Sequence, residues 1–144
     1  FCETLLNADH VVRLDTTGAA ADAKQLAELT GNEFFDIVFD ATGNVKAMER
    51  GLEFVAHGGK YVLISIVSDR ISFADPEFHK RETTLLASRN ATPDDFETVL
   101  SAMRAGLIPT AALNTHTLRL SDLPSEFAKL LDPSAGVIKA LVEC

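Results

Sequence analysis

Apolar runs alternating with helical patterns predict an α/β fold with a mainly parallel sheet and helices on both faces. Two stretches carry most of that expectation. Residues 34–40 are β-rich and nearly all apolar, as a central parallel strand buried on both faces requires, and Ala41-Thr42-Gly43-Asn44 breaks the run. Residues 61–66 repeat the pattern after a segment in which Val45, Met48, Leu52 and Val55 recur at helical spacing. This is a strand–helix–strand unit. Its crossover is expected to be right-handed and to gather the strand ends along one edge, where ligands of such sheets bind.

The remaining elements follow in order. Residues 10–14 form a short strand candidate, and residues 20–30, with Leu26 and Leu29 on one face and Gly31 as the stop, read as a helix. The helix beginning near Val45 is expected to end at His57-Gly58-Gly59-Lys60. Arg70-Ile71-Ser72-Phe73 alternates, Asp75-Pro76 reads as a helix entry, and residues 83–88 form a third strand run closed by Arg89-Asn90-Ala91. Thr92 as N-cap, Pro93 in the first turn and Asp94 and Asp95 near the positive helix end define the next helix. Phe96, Val99, Leu100 and Met103 line one face of it, and Gly106 stops it. Residues 114–120 read as extended chain, Ser121 as the cap of a helix through residue 131, and residues 137–142 as a closing strand after a Pro133 and Gly136 turn.

Composition narrows the function. The chain has 144 residues, 47% hydrophobic and 24% charged, which fits one globular domain or a piece of a larger protein. No apolar run approaches the roughly 20 residues of a membrane-spanning helix, and no signal-peptide pattern opens the sequence. With 13 basic and 21 acidic residues the net charge is −8, which disfavours binding to a phosphate backbone. Cys2 and Cys144 show no partnering pattern, so free thiols in a reducing cytoplasm are expected. His10, His57, His79 and His116 lack metal-ligand spacing.

A dinucleotide site needs a glycine-rich turn after its first strand, because helix N-terminal amides must approach the pyrophosphate closely. No G-x-G-x-x-G occurs here, and Gly58-Gly59 precedes a strand, the reverse of the required order. Walker, G-x-S-x-G, H-E-x-x-H and EF-hand patterns are also absent. Motif content alone leaves the function open.

Three blocks resolve it by likeness. Residues 36–44 (DIVFDATGN), 57–64 (HGGKYVLI) and 136–142 (GVIKALV) resemble, in order and separation, the nucleotide-binding domain of zinc-dependent medium-chain alcohol dehydrogenases. Residues 73–80 and 88–93 are most similar to the branch acting on polyols and sugar acids. The resemblance implies a partial Rossmann-like, doubly wound sheet, with residues 1–144 forming the second half of that domain plus the C-terminal segment. The glycine fingerprint, the ribose-binding acid and the zinc-carrying catalytic domain are then expected upstream. The implied activity is NAD(P)-dependent oxidation of a secondary alcohol to a ketone. These residues would supply part of the cofactor wall without catalysing alone.

The same likeness assigns site residues. Ala41, Thr42, Gly43 and Asn44 match the turn beside the adenosine half of NAD or NADP; Ile64, Ser65 and Ile66 match the segment whose backbone faces the nicotinamide amide. Many relatives carry Gly where Ser65 stands. Ser88, Arg89 and Asn90 match the turn between nicotinamide and substrate cleft, and Lys139 a basic position reaching the pyrophosphate. Residues 42–44 equally suit a plain turn with Asn44 as N-cap, Lys139 a snorkelling edge lysine, and Arg89 a surface charge. Ile71 and Phe73 match an edge strand that forms homo-oligomers, and residues 34–40 would stand as an open sheet edge. Two other readings compete: a non-catalytic half-Rossmann interaction module, and part of a zinc-free reductase of the same superfamily.

With no pyrophosphate turn, the 144-residue chain is expected to show no micromolar affinity for NAD(H) in calorimetric titration. Tight binding would mean that a phosphate cradle lies within these residues.

Overall fold

The computed structural model describes residues 1–14 and 19–144. In chain order its elements are α1 (Cys2–Leu5), α2 (Ala19–Leu29), β1 (Phe35–Asp40), α3 (Val45–Gly51), a 3-10 turn (Leu52–Phe54), β2 (Val55–Leu63), α4 (Asp75–Lys80) and β3 (Thr84–Ala87). These are followed by α5 (Pro93–Arg104), α6 (Thr110–Leu113), β4 (Asn114–Arg119), a 3-10 turn (Leu120–Asp122), α7 (Leu123–Leu130), a 3-10 turn (Pro133–Ala135) and β5 (Lys139–Glu143). The chain divides into two compact units, Val12–Asn90 and a second made of Phe1–Val11 with Ala91–Cys144. Both contain parallel strands joined by helices, the α/β arrangement the alternation predicts.

In the unit Val12–Asn90 the sheet order is β1-β2-β3, all parallel. Its core collects where α3 meets the sheet: Met48, Phe54, Val55, Ala56 and Tyr61 are buried. Val38 is level with Tyr61 in the ladder, so both project on the α3 face. Tyr61 is 1% exposed, and its hydroxyl donates to the Met48 carbonyl at 2.7 Å. Burial, and after it the charge of Asp40, pushes the Tyr61 phenol far above its ordinary pKa, so it stays the neutral donor that this bond needs. Ile37 and Phe39 alternate onto the opposite face, where they are 50% and 63% exposed. β1 pairs with β2 alone among the described residues, leaving the open edge expected for this strand.

β2 corrects the expected helix boundary. The helix stops at Gly51, and Val55, Ala56, His57, Gly58, Gly59 and Lys60 already belong to the strand. Registration explains it: Phe35 pairs with Val55 but Ile37 with Lys60, so β2 carries extra residues in a bulge. Gly58 takes φ +72° there and donates its N–H to the Arg81 carbonyl at 2.7 Å. At Gly59 a side chain has no room, since a Cβ would stand 2.9 Å from the Asp36 carbonyl oxygen. Arg81 braces the same corner through Nη1, which donates to the carbonyls of Leu52 at 3.2 Å, Glu53 at 2.5 Å and Val55 at 3.3 Å. Local periodicity had no access to these contacts.

Two further expectations fail for want of a partner. Residues 10–14 form no strand, and residues 70–73 run outside any sheet, because a strand persists only where a ladder satisfies its backbone. Ser72 is instead held by the Glu49 carboxylate, through its N–H at 2.9 Å and its hydroxyl at 2.8 Å. Phe73 packs on Phe78 with ring centroids 5.2 Å apart.

In the second unit α5 begins as the sequence predicts. The Thr92 hydroxyl accepts from the Asp95 N–H, and the Asp95 carboxylate accepts from the Thr92 N–H at 2.7 Å, a complete capping box. The Thr92 N–H and then the Thr92 hydroxyl, both donating to that carboxylate at 2.7 Å, hold the Asp95 carboxyl below its ordinary pKa. Phe96, Val99, Leu100 and Met103 are exposed along α5. The N-cap of α7 is Asp122 rather than Ser121, one residue later than expected, at the end of the 3-10 turn Leu120–Asp122. The closing strand expected over residues 137–142 is β5, which starts at Lys139 and pairs in parallel with β4, making a β–α–β unit across α7. Thr115 fills the register shift of that pair, accepting from the Ile138 N–H at 3.0 Å and donating to the Lys139 carbonyl at 3.2 Å.

Gly51→Ala tests the α3 contact. Helix propensity alone would favour alanine by about 1 kcal/mol, but the new Cβ would stand 2.8 Å from Tyr61 Cε2 inside the core. The expected outcome in urea unfolding is a net loss of about 2 kcal/mol; a gain would show that Tyr61 does not fill this space.

Candidate functional site

Register places the site. Asp40 pairs with Leu63, and Leu63 with Ala87, so the three strands of the unit Val12–Asn90 end level. The ladder runs one step further: Ile64 N–H donates to the Asp40 carbonyl at 2.9 Å, and Ser88 N–H to the Leu63 carbonyl at 2.9 Å. Ala41, Ile64 and Ser88 are therefore the first residues off neighbouring strands, about 4.8 Å apart. The structure thus brings the residues 41–44, 64–66 and 88–90 to one edge. Lys139 is exposed at the start of β5, in the other unit.

The first turn is built from side chains. Thr42 donates its N–H to Asp40 Oδ1 at 3.2 Å and its hydroxyl to Asp40 Oδ2 at 3.0 Å, folding the chain back on the strand end. The Thr42 hydroxyl also accepts from Asn44 N–H at 3.2 Å. Gly43 takes φ +60°, with open space where a Cβ would stand. Asn44 then caps α3, its Oδ1 accepting from Ala47 N–H at 3.1 Å. The structure shows the cap, in a turn at the carboxyl end of β1.

The second turn is tied to the first through Asp40. Ser65 donates its N–H to the Asp40 carbonyl at 3.1 Å and its hydroxyl to Asp40 Oδ1 at 2.6 Å, the short separation of a charge-assisted bond. Asp40 itself is 5% exposed. Sequence reasoning assigned this residue only to the strand, although an acid ending an otherwise apolar run just before a turn was the available signal. Ile64 and Ile66 are exposed beside this network, Ile66 by 75%. At the third strand end Ser88, Arg89 and Asn90 are exposed, and Asn90 adopts φ +63°. Between α3 and residues 66–69 a crevice of about 1400 Å³ opens, lined among others by Val38, Thr42, Asn44, Tyr61 and Ile66.

Open backbone at Gly43 and exposed isoleucines suit the flat ring ends of a dinucleotide, which bind by stacking and backbone hydrogen bonds. No glycine-rich cradle for its phosphates occurs in the sequence. No three His, Cys, Asp or Glu side chains group as metal ligands among the described residues. No described helix is long and apolar enough to cross a membrane.

A family model described as zinc-binding dehydrogenase matches residues 1–105. The chain belongs to this family. L-galactonate-5-dehydrogenase of Escherichia coli K12 is 35% identical over 129 residues, covering 90% of this chain and 38% of that protein. The structure of 2R,3R-butanediol dehydrogenase from Bacillus subtilis superposes with a TM-score of 0.76 at 25% identity, over 85% of this chain and 35% of that one. An alcohol dehydrogenase of E. coli CFT073, solved with NADH, superposes with a TM-score of 0.79 at 19% identity, over 95% of this chain and 39% of that one. The Rossmann-like fold is thereby established. The chain spans less than two fifths of each of these relatives. The zinc of the family's description finds no ligand set among the described residues.

Asn44→Ala is expected to destabilise the unit by about 1 kcal/mol in urea unfolding, and Asn44→Asp by under about 0.5 kcal/mol, since aspartate caps equally well. Equal losses for both variants would contradict the capping assignment.

Proposed function

We propose that this chain is the second half of the nucleotide-binding domain, with the C-terminal segment, of a dehydrogenase that oxidises a secondary alcohol of a polyol or sugar acid to a ketone. The observation that carries the reading is the level edge formed by residues 41–44, 64–66 and 88–90 in a chain of the zinc-binding dehydrogenase family. The likeness to L-galactonate-5-dehydrogenase supports the substrate class. NADH in a structural relative supports a nicotinamide cofactor.

In this reading the reaction removes two electrons from the alcohol. The carbinol carbon gives a hydride to the nicotinamide ring, the hydroxyl loses a proton, and a ketone and NAD(P)H result. The role of this chain is to bind and orient. Turn 41–44 lies along the adenosine half, residues 64–66 present their backbone to the nicotinamide amide, and residues 88–90 border nicotinamide and substrate. Arg89, which makes no ion pair among the described residues, sits where it can meet a polar or anionic substrate group. Lys139, by the family likeness, would reach the cofactor pyrophosphate. The zinc ligands and the pyrophosphate turn fall to other residues of the longer protein. We further infer a cytoplasmic homo-oligomer with contacts near Ile71 and Phe73.

The test uses the full-length protein that contains these residues. Supplied with NAD or NADP, it is expected to form ketone and reduced cofactor from a polyol or an aldonate. Turnover of neither class, with the protein folded, would overturn the substrate assignment. Absence of any nicotinamide-dependent activity would favour an interaction module.

A further inference from the structure

Asp40 holds a carboxylate where the sheet gives it little solvent, at 5% exposure, and no ion pair to it occurs among the described residues. A buried carboxylate in such a place costs stability unless hydrogen bonds replace its water. The hydrogen bonds to its carboxylate come from the two turns of the edge. Its carboxylate accepts the Thr42 N–H, the Thr42 hydroxyl and the Ser65 hydroxyl, the last at 2.6 Å, and its main-chain oxygen accepts the N–H groups of Ile64 and Ser65. One residue therefore grips turn 41–44 from one side and residues 64–66 from the other. It does so from the lining of the crevice, at a position almost closed to solvent.

We propose that Asp40 is a positioning residue: acting through the Ser65 hydroxyl, it fixes the backbone of residues 64–66 relative to turn 41–44, and so sets the span across which the nicotinamide and adenosine ends of one cofactor are held. This rests on the cofactor reading given above. The two arms are chemically separable. Thr42 carries the adenosine side and Ser65 the nicotinamide side, so loss of the Ser65 hydroxyl loosens one end of the cofactor site while the other keeps its hydrogen bonds. Asparagine at position 40 preserves the geometry. Its Oδ1 still accepts from Ser65 and Thr42 N–H, and its Nδ2 donates to the Thr42 hydroxyl oxygen, which has lone pairs to accept.

The experiment titrates the full-length protein with NADH and with ADP-ribose, which lacks only the nicotinamide. Ser65→Ala is expected to raise the NADH Kd about tenfold, the scale of one charge-assisted hydrogen bond, and to leave the ADP-ribose Kd within about twofold. Asp40→Ala weakens both ligands, and Asp40→Asn recovers the NADH affinity that Asp40→Ala loses. If Asp40→Ala does not fold, Ser65→Ala decides alone. An unchanged NADH Kd in Ser65→Ala, or equal weakening of both ligands, overturns the proposal. A wild-type protein that binds neither ligand instead removes the cofactor reading, and the proposal with it.

Discussion

Parallel pairing in the register Asp40, Leu63, Ala87 makes the chain leave the sheet three times at one edge. The candidate site depends on that alignment. Parallel strands need helical or long crossovers, so successive exits fall on the same side and successive entries on the other. The turns 41–44, 64–66 and 88–90, far apart in sequence, become neighbours for that reason alone. A slip of one residue in β2 would turn Tyr61 away from α3 and carry the Ser65 hydroxyl away from Asp40.

The alignment is held from both ends of the strands. At the carboxyl end Asp40 ties two turns together. At the amino end the β2 bulge, the close approach at Gly59 and the Arg81 guanidinium over the Phe34 ring, 5.3 Å from its centroid, fix where the ladder begins. Between them Tyr61 anchors α3 to the sheet by a buried hydrogen bond. The polar groups of this unit thus act as spacers, while Met48, Phe54 and Val55 supply the apolar contact. Ile37 and Phe39, exposed on the other face, and the open edge of β1 are surfaces that a stable soluble protein ordinarily covers.

Signals that act locally were legible in the sequence. Thr92, Pro93 and Asp95 announce α5 because a capping box is closed within four residues, and the apolar run before Ala41 announces β1 because its turn residues follow at once. What escaped was non-local. Val55 to Lys60 looks helical at its start and turn-like at its end, and only pairing with β1 draws it into a strand. Residues 137–142 have the composition of a central strand, yet their partner is β4, joined to them through α7. Asp40 escaped for the same reason: its partner Ser65 lies 25 residues away. Turn 41–44 was legible as the cap of α3 from Asn44 itself, whereas the cofactor roles given to that turn and to Lys139 rest on likeness.

The central claim is that the level strand ends are the wall against which a nicotinamide dinucleotide lies. A crystal structure of the full-length protein with NADH tests it most directly. The account predicts the nicotinamide amide within hydrogen-bonding distance of the backbone of residues 64–66, with the adenosine along residues 41–44. A cofactor bound elsewhere, with this edge facing solvent or another part of the protein, would contradict it.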